Sequence, residues 1–215
     1  MKLHYSRRSP YVRLVMVVTH WGNLAPRIEL LNTVVNIERP LPHLMGDNPL
    51  TKIPTLLLDD GSSLYDSRVI CEYLDDCHDN PKLFPARGPE RWTALRRLAL
   101  GHGLIDLLLS WLLERNRPEV ARNAAFIGAL ETKYWAAVDQ LEKEAHKLPS
   151  DPFSIGHVGI GTALSYSDFR FAALKWRESH PRLARWHESF AALPAAAADP
   201  FFDDLAAAKQ AEGIR

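Results

Sequence analysis

Between Asp79 and Pro89 the chain carries three prolines and a glycine, in the run Asp79-Asn80-Pro81-Lys82-Leu83-Phe84-Pro85-Ala86-Arg87-Gly88-Pro89. Neither a helix interior nor a central strand passes through such a run, because each proline fixes φ and lacks a backbone N–H. The sequence differs in character on its two sides. Before the run, short apolar stretches alternate with helical periodicity. After it there is no strand-like alternation, only long helical patterns. The expectation is an α/β domain over 1–78, a linker over 79–89 and an all-helical domain over 90–215.

Within the first half, Lys2–Tyr5 reads as a short strand and Pro10–His20 as a helix, with Tyr11, Leu14, Val15 and Val18 at helical spacing. Val12 and Val17 make a second face apolar, so this helix is expected to be buried on two sides. Trp21-Gly22-Asn23 ends it. Arg27–Asn32 reads as a second strand, parallel to the first if the helix is a crossover. Pro40, Pro42 and Pro49 then enforce a loop, with one helical turn near His43 to Gly46. Lys52–Leu58 is an apolar strand with Pro54 near its start. Asp59-Asp60-Gly61 is a turn signal, and Ser62–Tyr65 pairs back as a hairpin. Ser67–Cys77 is a helix. The order is β-α-β-loop-β-β-α.

Beyond the linker, helices are expected over Glu90–Arg115, over Glu119–Lys147 with a bend near Gly128, over Ser154–Phe171, from Pro181 to Leu193, and from Pro200 to Gln210. Ser154–Phe171 is apolar on all sides and is expected at the centre of this half.

Charge narrows the function classes. The 26 basic and 26 acidic residues cancel, and no basic patch stands out, which argues against a nucleic-acid partner. The apolar run Gly103 to Leu113 is broken by Asp106 and Ser110 and is too short to span a bilayer. No stretch has the pattern of a signal peptide. A soluble, cytoplasmic protein is expected. Cys71 and Cys77 lie six apart on one helix and point in different directions, so neither a disulfide framework nor a metal site is expected.

Three short stretches carry the candidate chemistry. Ser9-Pro10-Tyr11-Val12 places a preferred N-cap and a preferred first helical residue at the start of an apolar helix. One reading of Ser9 is a helix cap and no more. The other is a hydroxyl at an anion-binding helix N-terminus, able to donate to a bound thiolate. Pro54 by itself reads as an ordinary strand-start proline. Asp66-Ser67 is either a plain helix cap or a second anion-binding helix start.

The strand order with a proline opening the third strand resembles the thioredoxin fold, where that proline is cis and faces the active-site loop. Ser9-Pro10-Tyr11-Val12 is similar to a Cys-Pro-Tyr-Cys redox motif with both thiols replaced. Thiol–disulfide exchange needs a thiolate, and nothing at these positions supplies one. Nearly the whole chain resembles the glutathione transferase family. The matching stretches are Ser9-Pro10-Tyr11-Val12-Arg13, Asn48-Pro49-Leu50-Thr51-Lys52-Ile53-Pro54, Leu64-Tyr65-Asp66-Ser67-Arg68-Val69-Ile70 and His180-Pro181-Arg182-Leu183-Ala184-Arg185-Trp186. The resemblance is strongest to bacterial branches that use serine or cysteine.

That resemblance implies a thioredoxin-like domain followed by a helical bundle, glutathione as co-substrate, and a small electrophile as second substrate. It implies that Ile53, beside Pro54, pairs its backbone with the cysteinyl part of glutathione. Asp66 and Ser67 hold the γ-glutamyl end, Lys52 or His43 meets the glycine carboxylate, and Ser9 donates to the sulfur. Tyr11, His102 and Asp106 are the candidates for the electrophile pocket. His102 and Asp106 begin a polar stripe with Ser110 and Glu114, which alternatively faces solvent or a partner subunit. The family implies a homodimer and a role in detoxification. Two alternatives are a glutathione- or ligand-binding protein of this fold with little catalysis, and a glutathione-dependent thiol reductase. The last is disfavoured because that branch carries cysteine at position 9. The family also has Ser/Thr-x-x-Asp opening the core helix. Here the stretch is Ser154-Ile155-Gly156-His157, and His157 is expected not to reach back, weakening the cap by on the order of 1 kcal/mol.

Overall fold

The computed structural model describes residues 1–37 and 39–203. The chain divides into two compact units, one holding Met1–Leu83 together with the stretch that begins at Pro194, the other Phe84–Leu193. The boundary thus falls inside the proline-rich run.

The first unit contains β1 (Lys2–Tyr5), α1 (Pro10–Trp21), β2 (Glu29–Asn32), the single turn α2 (Pro42–Met45), β3 (Thr55–Leu57), β4 (Ser63–Leu64) and α3 (Ser67–Asp76). The four strands form one sheet in the order β2-β1-β3-β4. β1 and β2 are parallel, with Lys2 opposite Glu29 and Tyr5 opposite Asn32. β3 runs antiparallel to β1, and β4 antiparallel to β3. This is the mixed sheet of a thioredoxin-like unit. Leu3 and Leu56 are fully buried on it, as are Val12, Leu14, Val15 and Val18 of α1 and Ile70, Cys71 and Leu74 of α3. α1 is buried from Val12 to Thr19 without interruption, as its two apolar faces require.

Three strands are shorter than their sequence suggests, β4 by one residue at each end. Ala25–Arg27 is a 3-10 turn, so β2 begins at Glu29. β3 begins only at Thr55, because the preceding residues are organised by Asn48. Its side-chain amide donates to the Lys52 carbonyl (3.2 Å) and to Thr55 Oγ1 (3.0 Å), while Thr55 Oγ1 donates to the Lys52 carbonyl (2.8 Å). The Ile53–Pro54 peptide is cis.

The second unit contains α4 (Pro89–Arg115), α5 (Ala124–Glu144), α6 (Ile155–Phe171), the short α7 (Trp176–Ser179) and α8 (Pro181–Ala191). α6 is buried without a break from Ile155 to Leu164, which makes it the central helix. It packs closely on α4. A Cβ at Gly101 would lie 2.3 Å from the carbonyl carbon of Gly159, and one at Gly156 would lie 2.7 Å from the Ala94 carbonyl oxygen. Glycine is needed at these positions because backbone meets backbone there.

The helix expected from Glu119 starts later. Glu119–Ala121 is a 3-10 turn, and α5 begins at Ala124 behind Asn123, whose side chain accepts from the Phe126 N–H at 3.0 Å. Glu114 fixes that break by accepting the Asn123 N–H at 2.6 Å. α5 passes through Gly128 as a continuous helix. The opening of α6 also corrects an expectation, since His157 does reach back. Its Nδ1 accepts the Ser154 N–H at 3.1 Å, and its Nε2 faces the Leu148 carbonyl at 3.2 Å. A neutral imidazole protonated on Nε2 meets both contacts, so it closes the box as a carboxylate would. Burial, and then the nearby Arg97 charge, holds the His157 pKa below its ordinary value, which favours this neutral form.

A last turn, α9 (Pro194–Ala197), and the stretch to Asp203 belong with the first unit, where α9 packs on α1. Sequence periodicity had placed everything after 90 in the helical part. Of the helix expected from Pro200 to Gln210, Phe201–Asp203 are not helical, and the remainder lies outside the described residues. None of the described helices is long and apolar enough to cross a membrane.

Candidate functional site

The strand registers bring three separated stretches to one end of the sheet. His4 stands opposite Thr55 in the β1–β3 pair, so the next positions set Tyr5 and Ser6 against Pro54 and Ile53. Leu64 stands opposite Leu56 in the β3–β4 pair, which carries Tyr65 and Asp66 beside Thr55 and Pro54. The loop to Ser9, the Ile53-Pro54 turn and the start of α3 therefore lie toward one end of the sheet.

Ser9 caps α1 from extended backbone, and its Oγ accepts the Val12 N–H at 3.3 Å. Its own N–H donates to the Ser6 carbonyl at 3.1 Å. The hydroxyl proton has no acceptor among the described residues, and the side chain is half-buried. The cap thus leaves the donor function of Ser9 available. Arg7, Arg8 and Arg13 flank Ser9 in the chain, and of these Arg7 meets the Asp199 carboxylate at 3.3 Å. Arg13 is buried, and its pKa is pulled down by burial and back up by Asp199. Tyr11, the second residue of α1, is half-buried.

Ile53 is 7 % exposed, and neither its N–H nor its C=O has a hydrogen-bond partner among the described residues. A buried backbone without partners is costly unless something else meets it. An extended peptide laid along this stretch would do so. Asp66 caps α3 by accepting the Arg68 N–H at 3.0 Å, and its carboxylate also meets the Arg68 guanidinium at 3.1 Å. Both side chains are about half exposed. Ser67 is buried at the first position of α3. Arg68 escaped attention in the sequence. An arginine two residues after a capping aspartate was the available signal, and it places a cation beside the carboxylate.

Lys52 and His43 are exposed, and no ion pair of the Lys52 ammonium group is found among the described residues. The α2 stretch between them is pinned to the sheet by Asp47. His4 Nε2 lies 2.9 Å from Asp47 Oδ2, and Ser63 Oγ donates to the Asp47 carbonyl at 2.7 Å. His4 is buried, with Nδ1 2.9 Å from Thr33 Oγ1. This anchoring was invisible in the sequence, where His4 is one residue of a short strand.

In the helical unit the polar stripe of α4 splits. His102 Nδ1 lies 3.8 Å from Asp106 Oδ2, with Asp106 well exposed. Ser110 Oγ donates to the Asp106 carbonyl of its own helix. Glu114 turns inward to hold Asn123 and Arg117, and these donors keep its carboxyl below the usual range. A cavity of about 560 Å³ opens in this unit between Phe153, His157, Trp186 and Phe190, and none of the expected site residues lines it.

The cysteines are both free. Cys71 is fully buried, and burial, reinforced by Asp66 and Asp75, pushes its thiol well above the ordinary range, so it is no ready nucleophile. Among the described residues no three His, Cys, Asp or Glu side chains gather as metal ligands.

Comparison with known proteins agrees with this architecture. Residues 8–77 match the family model for the glutathione S-transferase N-terminal domain, and residues 113–189 that for the C-terminal domain. A glutathione transferase family member from Pseudomonas fluorescens Pf-5, solved with bound glutathione, is 36 % identical with a TM-score of 0.90, over 94 % of this chain and 99 % of that one. A glutathione S-transferase from Methylobacillus flagellatus KT, solved with glutathione bound, is 31 % identical with a TM-score of 0.84, over 94 % and 99 %. The uncharacterized GST-like protein YibF of Escherichia coli K12 is 27 % identical over 193 residues, 88 % of this chain and 93 % of that protein.

Proposed function

The chain is a member of the glutathione transferase family, and from that premise we propose that it binds glutathione, stabilises its thiolate at Ser9 and transfers it to a small electrophile. The observation that supports this reading is the strand register, which carries the loop before Ser9, the unpartnered backbone of Ile53 and the capped start of α3 toward one end of the sheet. Ile53 would pair with the cysteinyl backbone beside Pro54. Asp66 would accept from the α-amino group of the γ-glutamyl residue, and Ser67 with the α3 N–H groups would donate to its carboxylate. Lys52 or His43 would meet the glycine carboxylate.

The chemistry asked of Ser9 is modest. Moving a thiol from a pKa of about 8.5 to about 6.5 requires roughly 2.7 kcal/mol of preference for the thiolate. One charge-assisted hydrogen bond contributes about 1.5–3 kcal/mol, and a helix N-terminus up to about 2. Ser9 need only donate; the thiol proton leaves to solvent. The sulfur then forms a bond to the electrophilic carbon, and the electrons pass to a leaving group or into a conjugated acceptor. Tyr11 is the candidate of the first unit to contact the electrophile. A cytoplasmic homodimer serving detoxification fits this reading.

The second reading, a protein that holds glutathione without activating it, differs in one observable. Titrating the thiolate absorbance of glutathione bound to the wild-type protein should give a midpoint near pH 6.5. A midpoint unchanged from free glutathione would leave only the holding role. The reductase reading finds no thiol at position 9 to support it.

A further inference from the structure

We propose that Asp199 is a positioning residue for Ser9, acting through the loop that leads into α1. The inference rests on the reading of Ser9 as the thiolate donor. Asp199 is far from the loop in sequence but belongs to the same unit. Its carboxylate accepts the Tyr5 hydroxyl at 2.7 Å and lies 3.3 Å from Arg7 Nε. Its carbonyl accepts from the Arg13 guanidinium, which also donates to the Ala196 carbonyl at 2.7 Å. Arg7 Nε donates in addition to the Pro200 carbonyl at 3.3 Å, and the Phe202 N–H returns to the Arg7 carbonyl at 3.4 Å.

These attachments fall on both sides of Ser9. Tyr5 and Arg7 precede it, and Arg13 follows it by one helical turn. Two consecutive aromatic rings complete the strap, Phe201 at 5.1 Å beneath the Arg13 guanidinium and Phe202 at 5.4 Å beneath that of Arg7. Within the loop itself, the Ser9 N–H donates to the Ser6 carbonyl. A hydroxyl that must meet a sulfur at hydrogen-bond distance and angle needs its backbone fixed. Here the fixing comes largely from residues 196–202. Asp199 is itself well covered, with its side chain 15 % exposed. It acts on the backbone that presents Ser9 and has no part in the reaction.

The test compares Asp199→Ala with Asp199→Asn, which keeps an acceptor for the Tyr5 hydroxyl. Tyr5→Phe serves as a milder release should the alanine variant fail to fold. Deuterium exchange over residues 6–12 in the glutathione-free protein reads the loop directly. The thiol titration of bound glutathione and the ratio kcat/KM read its consequence. In Asp199→Ala, exchange over 6–12 should rise at least about tenfold, the bound thiol midpoint should move up by about one pH unit, and glutathione affinity should change less than about twofold. Asp199→Asn, which keeps the acceptor for the Tyr5 hydroxyl but loses the negative charge facing Arg7 and Arg13, should fall between wild type and Asp199→Ala. Unchanged exchange in Asp199→Ala would overturn the proposal, as would an asparagine variant impaired as much as the alanine one, or faster exchange with an unmoved thiol midpoint. A wild-type protein that fails to lower the thiol pKa at all would instead remove the proposed function, while the exchange readout still decides whether Asp199 holds the loop.

Discussion

Substitution can separate the cap that Ser9 forms from the thiolate-donor role proposed for it. As a cap it accepts the Val12 N–H at 3.3 Å, a long bond, so its loss to alanine should cost about 1 kcal/mol. For a chain of this length that is a fall in Tm of about 2–4 °C. Glycine at an N-cap costs only a few tenths of a kcal/mol, because water reaches the freed N–H. As a thiolate donor the hydroxyl supplies about 1.5–3 kcal/mol, and neither alanine nor glycine replaces it. Both variants should therefore raise the midpoint of bound glutathione by about 1–2 pH units, while only Ser9→Ala loses appreciable stability. Assayed near pH 6.5, the thiolate population should drop about fivefold to fiftyfold. Thermal unfolding and thiolate titration of the two variants side by side make the measurement. A Ser9→Gly protein that titrates like wild type would refute the donor role and leave Ser9 as a cap alone.

Two further predictions concern the framework. The His157 pKa is depressed in the folded protein, so folding favours the neutral ring; the stability this gives is present above the unfolded value of about 6.5 and is lost as pH falls from there toward the folded value. The urea midpoint of the wild type should decline below about pH 6.5, and His157→Gln, which keeps an acceptor for the Ser154 N–H, should flatten that decline; an identical slope in both proteins would contradict it. Gly101→Ala drives a methyl into the Gly159 carbonyl at 2.3 Å, where only backbone can yield, and should cost about 3 kcal/mol or more by denaturant unfolding; a loss under about 1 kcal/mol would mean that α4 and α6 do not cross this closely.

What could be read from the sequence followed from local signals. β1 was legible to the residue because Lys2–Tyr5 is short, apolar in alternation and stopped by a polar loop. α1 and α6 were legible because one is apolar on two faces and the other all round, and the structure buries each accordingly. The three candidate stretches were legible because each sits at an element start where proline or a capping side chain leaves a mark. The rest depended on contacts that no local pattern encodes. β3 lost its first residues to Asn48, and α5 started late because Glu114 captures the Asn123 N–H. His157 was misjudged by its residue type, when the tautomer of a buried imidazole makes it an adequate acceptor. The return of residues 194–203 to the first unit rests on Arg13 and Tyr5 meeting Asp199 across nearly the whole chain. Periodicity carries no information about such a pairing.

The central claim is that one end of the sheet presents glutathione's sulfur to Ser9. A crystal structure of the protein soaked with glutathione tests it most directly. The expected density has the cysteinyl backbone paired with the N–H and C=O of Ile53, the γ-glutamyl end at Asp66 and Ser67, and the sulfur within about 3.5 Å of Ser9 Oγ, a sulfur acceptor lying somewhat farther than an oxygen one. Glutathione bound with its sulfur turned away from Ser9, or absent from this end of the sheet at saturating concentration, would contradict it.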